Sequence, residues 1–271
     1  MQIQSFSRHI TVLAALLALS GCATTPTPAP MDAKGKPVGY LAPSELPDTT
    51  RILPAAPVKG SARYEADRQV FLETRKLEGT PRWVLATDDV DLSVPAMLKH
   101  FSCAMDADLQ AEKLPRLTAL LERADRDADE STRAPKQANK RLRPFLIDEG
   151  NICQPKERLA KSYDYPSGHT TWGWTAGLIM AQLAPDRASE LDLRARAFAD
   201  SRVVCGAHNL SATQAGAING AVVFNALQAV PAYRADLAAA RSELDAYRKS
   251  GPKPDGQKCE AERALIVAAP Y

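Results

Sequence analysis

From about Arg63 to its end, the chain repeats its apolar positions every three or four residues, with few of the two-residue alternations and hairpin signals that mark strands. This periodicity predicts an all-α domain, a helical bundle. Leu114, Leu117, Leu120 and Leu121 share one face of a helix that begins near Pro115 and is charged on its other face. Residues 170–183 are apolar nearly all round, with Trp172, Trp174, Leu178, Ile179 and Met180, as a central helix surrounded by others requires. An amphipathic segment over 186–205, a small-residue helix over 211–227 and a charged helix over 231–249 follow, with no internal repeat. Pro135 and Pro144 bracket a short basic helix. On it Lys136 and Arg143 stand two turns apart and share one side.

The N-terminal part reads differently. Arg8 and His9 precede an apolar run over 10–19 that ends in Leu19-Ser20-Gly21-Cys22. This is the layout of an export signal over residues 1–21, and its ending resembles a bacterial lipobox. The resemblance implies cleavage before Cys22 and acylation of that cysteine, and Ala23 after it points to the outer membrane. Residues 22–57 are rich in proline, threonine and alanine, which predicts an extended, lipid-anchored linker ahead of a domain over 58–271. No later segment approaches the roughly 18 uninterrupted apolar residues of a membrane span. The expectation is therefore a periplasm-facing domain that meets the membrane only through its anchor.

Charge narrows the partners. Lysine and arginine total 34 against 32 acidic residues among 271, so the chain lacks the basic excess that draws a protein onto nucleic acid. Any phosphate recognition must be local. Removal of the signal and acylation of Cys22 leave Cys103, Cys153, Cys205 and Cys259, an even number that predicts two disulfides in an exported protein, with three pairings open. None has the C-x-x-C spacing of a structural zinc site. A homo-oligomer is compatible with the sequence.

Three basic clusters carry the candidate chemistry. The first is Lys136 with Arg143-Pro144, the second Pro166-Ser167-Gly168-His169, the third Ser201-Arg202 followed by His208. Two guanidinium groups and an ammonium can neutralise phosphoryl oxygens, and a Ser-Gly turn opening a buried helix adds a hydroxyl and backbone N–H groups. Two histidines can divide the roles of nucleophile and acid. Arg202 and His208 cannot share a face of one continuous helix, since six residues advance about 600°. The helix should therefore break near Gly206, so that both reach a common point. His100 has no such company and reads as a surface or packing residue. No carboxylate cluster suggests a metal, and no cofactor is implied.

In order and separation these blocks resemble the signature K-x6-R-P, P-S-G-H, S-R-x5-H-x3-D of the type 2 phosphatidic acid phosphatase superfamily. The soluble class A bacterial non-specific acid phosphatases are the most similar members, and the vanadium haloperoxidases share the site. The resemblance implies that Lys136, Arg143, Arg202, Ser167 and the N–H of Gly168 bind the phosphoryl group of a small phosphomonoester. It further implies that His208 attacks phosphorus and that His169 protonates the leaving oxygen. It also suggests the pairings Cys153 with Cys205 and Cys103 with Cys259. One departure stands out: Ala212 occupies the position of the signature's aspartate, which orients the nucleophilic histidine. A backbone carbonyl, Ser211, Gln214 or a water is left to substitute. The expectation is an impaired acid phosphatase whose turnover Ala212→Asp would raise. The alternatives are a phosphate-binding lipoprotein without turnover and a vanadate-dependent peroxidase.

Overall fold

The computed structural model describes residues 30–271, so the signal segment and Cys22 lie outside the described residues. Twelve helices follow one another among them: α1 Thr49–Ile52, α2 Ala62–Arg75, α3 Pro81–Asp88, α4 Val94–Met105, α5 Pro115–Ser131, α6 Arg133–Asn139, α7 Lys156–Leu159, α8 Gly168–Leu183, α9 Ala188–Val204, α10 Leu210–Gln228, α11 Pro231–Ser250 and α12 Gly256–Ile266. No sheet forms among the described residues; a single bridge pairs Met31 with Pro37. The all-α expectation holds, and no single described helix is long and apolar enough to cross a membrane.

The central helix is α8, packed between α9 and α10 with α5 across it. Small residues allow these close approaches. A Cβ at Gly173 would overlap the Phe198 ring of α9, and one at Gly220 of α10 would come 2.7 Å from the Thr171 carbonyl. Met97, Leu98, Phe101, Leu117, Leu120, Leu121, Ile179, Met180 and Phe198 fill the core without solvent exposure. At this degree of burial each large side chain contributes about 1.5–3 kcal/mol of transfer free energy. The N-terminus of α5 is closed from α11, where the Glu243 carboxylate accepts from the N–H groups of Arg116 and Leu117.

Both disulfides form with the expected partners. Cys103–Cys259 ties α4 to α12, and Cys153–Cys205 ties the loop before α7 to the end of α9.

Composition suggested a spacer up to residue 57, yet contacts with the domain begin earlier. Tyr40 is buried with its ring edge on Tyr233 at 5.4 Å and the Arg123 guanidinium 3.7 Å from its centroid. Its N–H donates to Asp127 Oδ2 and its hydroxyl to Asp236 Oδ2. Leu53 is buried against Tyr165, Ala212 and Ala215, and the Pro54 carbonyl accepts from the Tyr165 hydroxyl. Isolated apolar residues in a proline-rich run thus find specific seats that composition does not reveal.

Candidate active site

The three basic clusters meet where α8 begins and α9 ends. Ser167 caps α8, its Oγ accepting from Thr170 N–H at 3.2 Å. The N–H groups of Gly168 and His169 belong to the first turn, which has no helical acceptors for them and presents the positive end of the helix dipole. Ser167 N–H donates to the Ala212 carbonyl at 2.9 Å and so joins this turn to α10.

Helix α9 ends where expected. Gly206 takes φ +75°, a conformation only glycine adopts freely, and the chain folds back so that the N–H groups of Ala207 and His208 both donate to the Arg202 carbonyl. Arg202 and His208 are therefore neighbours, and both side chains are buried. The first cluster differs from its prediction. Helix α6 stops at Asn139, Lys140 is left-handed at φ 45°, and Arg143 is extended ahead of a 3₁₀ turn over Pro144–Leu146. Pro144 disfavours helical backbone at the residue before it, so Lys136 and Arg143 converge across a bend instead of lying along one helix.

Three cations stand in this buried space. Arg202 Nη2 donates to Gln154 Oε1 at 2.6 Å, while its Nε and Nη1 are buried without a partner. Burial and Arg143 together draw its pKa down to about 9. Arg143 donates through Nε to the Ser162 carbonyl and through Nη1 to the Ala207 carbonyl, with Nη1 also 3.0 Å from His208 Nε2. Lys136 Nζ donates to the Tyr163 carbonyl at 2.7 Å, and burial, followed by repulsion from Arg143, pushes its pKa down to about 8.

The hydrogen-bond partners set the form of both histidines. His208 Nδ1 lies 2.9 Å from Asp164 Oδ1, a carboxylate that accepts, so the proton sits on Nδ1. Its Nε2 then carries the lone pair and accepts from Arg143. Burial first, then Arg143, Lys136 and Arg202, hold His208 well below the usual imidazole range. His169 Nε2 faces the Val90 carbonyl at 3.2 Å, which makes Nε2 the donor and leaves Nδ1 as the atom that can exchange a proton. Burial, then the charges of Arg202 and His208, draw its pKa well down.

Sequence reasoning missed Asp164, Arg141 and Gln154. Asp164 has no solvent exposure, and burial raises its pKa against the pull of Arg141 and Asn209. Arg141 donates to Asp67 Oδ2 and Ser211 Oγ. Neither side chain named as a substitute for the absent aspartate is free for His208: Ser211 is engaged by Arg141 and Asp67, and Gln214 Oε1 accepts from Arg63. The premise of an unsupported His208 is therefore corrected, because Asp164 reaches it from the loop before α8. His100 packs as expected, beside Phe198 with Nδ1 3.7 Å from Asp89. Among the described residues no group of three His, Cys, Asp or Glu side chains is arranged to hold a metal ion.

Comparison with known proteins gives the family. Residues 131–236, which include all three clusters, match the profile of the PAP2 superfamily. The chain is 41% identical to an acid phosphatase of Zymomonas mobilis, over 80% of this chain and 83% of that one. It is 33% identical to a non-specific acid phosphatase of Salmonella typhimurium, over 81% and 89%. With a non-specific acid phosphatase of Providencia stuartii it shares 30% identity, over 78% and 86%.

Proposed function

This chain belongs to the PAP2 superfamily, among its non-specific acid phosphatases, and on that premise we propose that it hydrolyses phosphomonoesters through a phosphohistidine formed on His208. The supporting observation is Arg202: two buried guanidinium donors without partners, beside a histidine whose Nε2 lone pair is directed by its own hydrogen bonds. A buried, unpaired donor costs about 1–3 kcal/mol or more, a cost that an oxyanion in the site removes.

In the proposed reaction Lys136, Arg143, Arg202, Ser167 and the Gly168 N–H hold the phosphoryl oxygens. His208 Nε2 forms a bond to phosphorus as the bond to the ester oxygen breaks, and His169, which takes up a proton on Nδ1 together with the phosphoryl dianion, gives that proton to the departing alkoxide. His169 then takes a proton from water as that water displaces His208, releasing phosphate. Each task is one of positioning and charge stabilisation, the main demands of phosphoryl transfer.

Two disulfides suit an oxidising compartment, which supports an exported, periplasm-facing enzyme. The signal over 1–21 and an outer-membrane lipid anchor at Cys22 complete this reading.

The test is hydrolysis of p-nitrophenyl phosphate with and without chelator, combined with trapping of enzyme labelled from ³²P-substrate by quenching in alkaline detergent. Chelator-insensitive turnover and a base-stable, acid-labile phosphoenzyme absent from His208→Ala are expected. Turnover that depends on an added divalent ion, or label that persists in His208→Ala, would overturn the mechanism.

A further inference from the structure

We infer that Asp164 is the positioning residue for His208, supplying from the loop before α8 the carboxylate that the helix carrying Ala212 lacks; this rests on the phosphohistidine reading above. The geometry of α10 explains the equivalence. Asn209 is the N-cap of that helix, which makes Ala212 its third residue. A carboxylate at the third position reaches back to the N-cap N–H, as in a capping box. In this chain Asp164 Oδ1 accepts that same N–H, at 3.2 Å from Asn209 N, together with His208 Nδ1–H. Asp164 Oδ2 accepts from Asn209 Nδ2 at 2.8 Å, and Arg141 Nε stands 3.8 Å from it. One side chain thus performs both tasks open to an acid at position 212.

The loop is fastened on each side of Asp164. Its own N–H donates to the Arg141 carbonyl, the preceding Tyr163 carbonyl accepts from Lys136, and the following Tyr165 hydroxyl donates to the Pro54 carbonyl. Ala212, in contrast, is fully buried in an apolar cluster with Leu53, Tyr165 and Ala215. As Nε2 bonds to phosphorus the imidazole becomes cationic, and the adjacent buried carboxylate stabilises it. The Nδ1 proton stays on the ring throughout. Asp164 touches neither substrate nor phosphorus and acts through His208 alone.

The test uses Asp164→Asn, Asp164→Ala, Ala212→Asp and the double variant Asp164→Ala/Ala212→Asp, with thermal unfolding and tungstate binding as controls on folding and anion binding. In a serine protease, replacing the acid that orients the catalytic histidine costs about 10⁴-fold in kcat. Asp164→Asn is expected to lower kcat by about 10²- to 10⁴-fold with KM changed by only a few-fold. The His208 ring nitrogens should shift in ¹⁵N NMR from the Nδ1–H tautomer toward a mixture. Ala212→Asp should bring no gain alone and should restore kcat at least tenfold over Asp164→Ala. An active wild type whose kcat is unchanged in Asp164→Asn would overturn the inference. So would an unchanged tautomer, or an equal loss of tungstate affinity and kcat without rescue. A wild type that turns over no phosphomonoester would instead refute the functional reading, and the tautomer would still decide the role of Asp164.

Discussion

Arg143 Nη1 stands 3.0 Å from His208 Nε2, so the atom proposed to attack phosphorus is held by the guanidinium proposed to receive the phosphoryl oxygens. In the proposed mechanism an entering anion would compete for Arg143 and free His208 Nε2. Arg143→Ala removes both functions and is expected to lower kcat by about 10²-fold or more, the usual effect of losing one preorganised donor, and to raise KM. Arg143→Lys restores the charge without the fork and should recover vanadate binding better than turnover. Steady-state kinetics with vanadate inhibition constants on both variants decides this.

Lys136 gives the site a pH dependence. Burial, followed by repulsion from Arg143, lowers its pKa to about 8, so the group is charged below that pH and increasingly neutral above it. An anion binds the charged form, and above about pH 8 binding must first restore the proton. Affinity for tungstate, whose charge is constant through this range, should therefore fall as pH rises through 8, by at most tenfold per pH unit until Arg202 also begins to lose its proton near pH 9. Lys136→Arg should move the break to higher pH. Calorimetric titrations from pH 6 to 10 measure both curves.

The helices of the core were legible because burial imposes its period on the sequence, as at Leu117, Leu120 and Leu121. The clustered cations and the break at Gly206 were legible because their spacing within short segments has geometric meaning. Asp164 was not, since it lies 44 residues before His208 and its role depends on how a loop crosses the end of α10. The one available signal was an aspartate in a polar loop directly ahead of Tyr165-Pro166-Ser167. Gln154 was hidden for a related reason, since contacts distant in the chain, the neighbouring Cys153–Cys205 bridge among them, bring its loop to Arg202.

That bridge links stability to the site. Cys153 N–H donates to the Cys205 carbonyl, and the next residue, Gln154, holds Arg202 Nη2 at 2.6 Å. Replacing both Cys153 and Cys205 by serine is expected to cost on the order of 2–5 kcal/mol and also to weaken anion binding, because Arg202 loses its fixed orientation. The pair Cys103 and Cys259 joins α4 to α12 outside the site, so its removal should lower stability with little change in kcat. Urea unfolding and p-nitrophenyl phosphate kinetics on the two double variants separate these outcomes. Equal loss of kcat in both would show that the first bridge has no special connection to Arg202.

The segment ahead of α2 offers a second separation of stability from catalysis. Tyr40 docks far along the chain from the site residues, on Tyr233, Arg123, Asp127 and Asp236, whereas Leu53 and Pro54 touch Tyr165, the neighbour of Asp164. Tyr40→Ala deletes a buried ring and the hydroxyl that donates to Asp236, while the backbone N–H to Asp127 remains, and should destabilise the fold by about 3 kcal/mol while the folded enzyme keeps its kcat. Leu53→Ala should cost about 2 kcal/mol. It should also lower kcat severalfold, because the cavity beside Tyr165 loosens the loop that aims Asp164 at His208. Truncation to residues 58–271 removes both contacts and should combine the two effects. Urea unfolding with kinetics measured well below the transition checks each variant, and a Leu53→Ala enzyme with wild-type kcat would show that the loop holds Asp164 without this support.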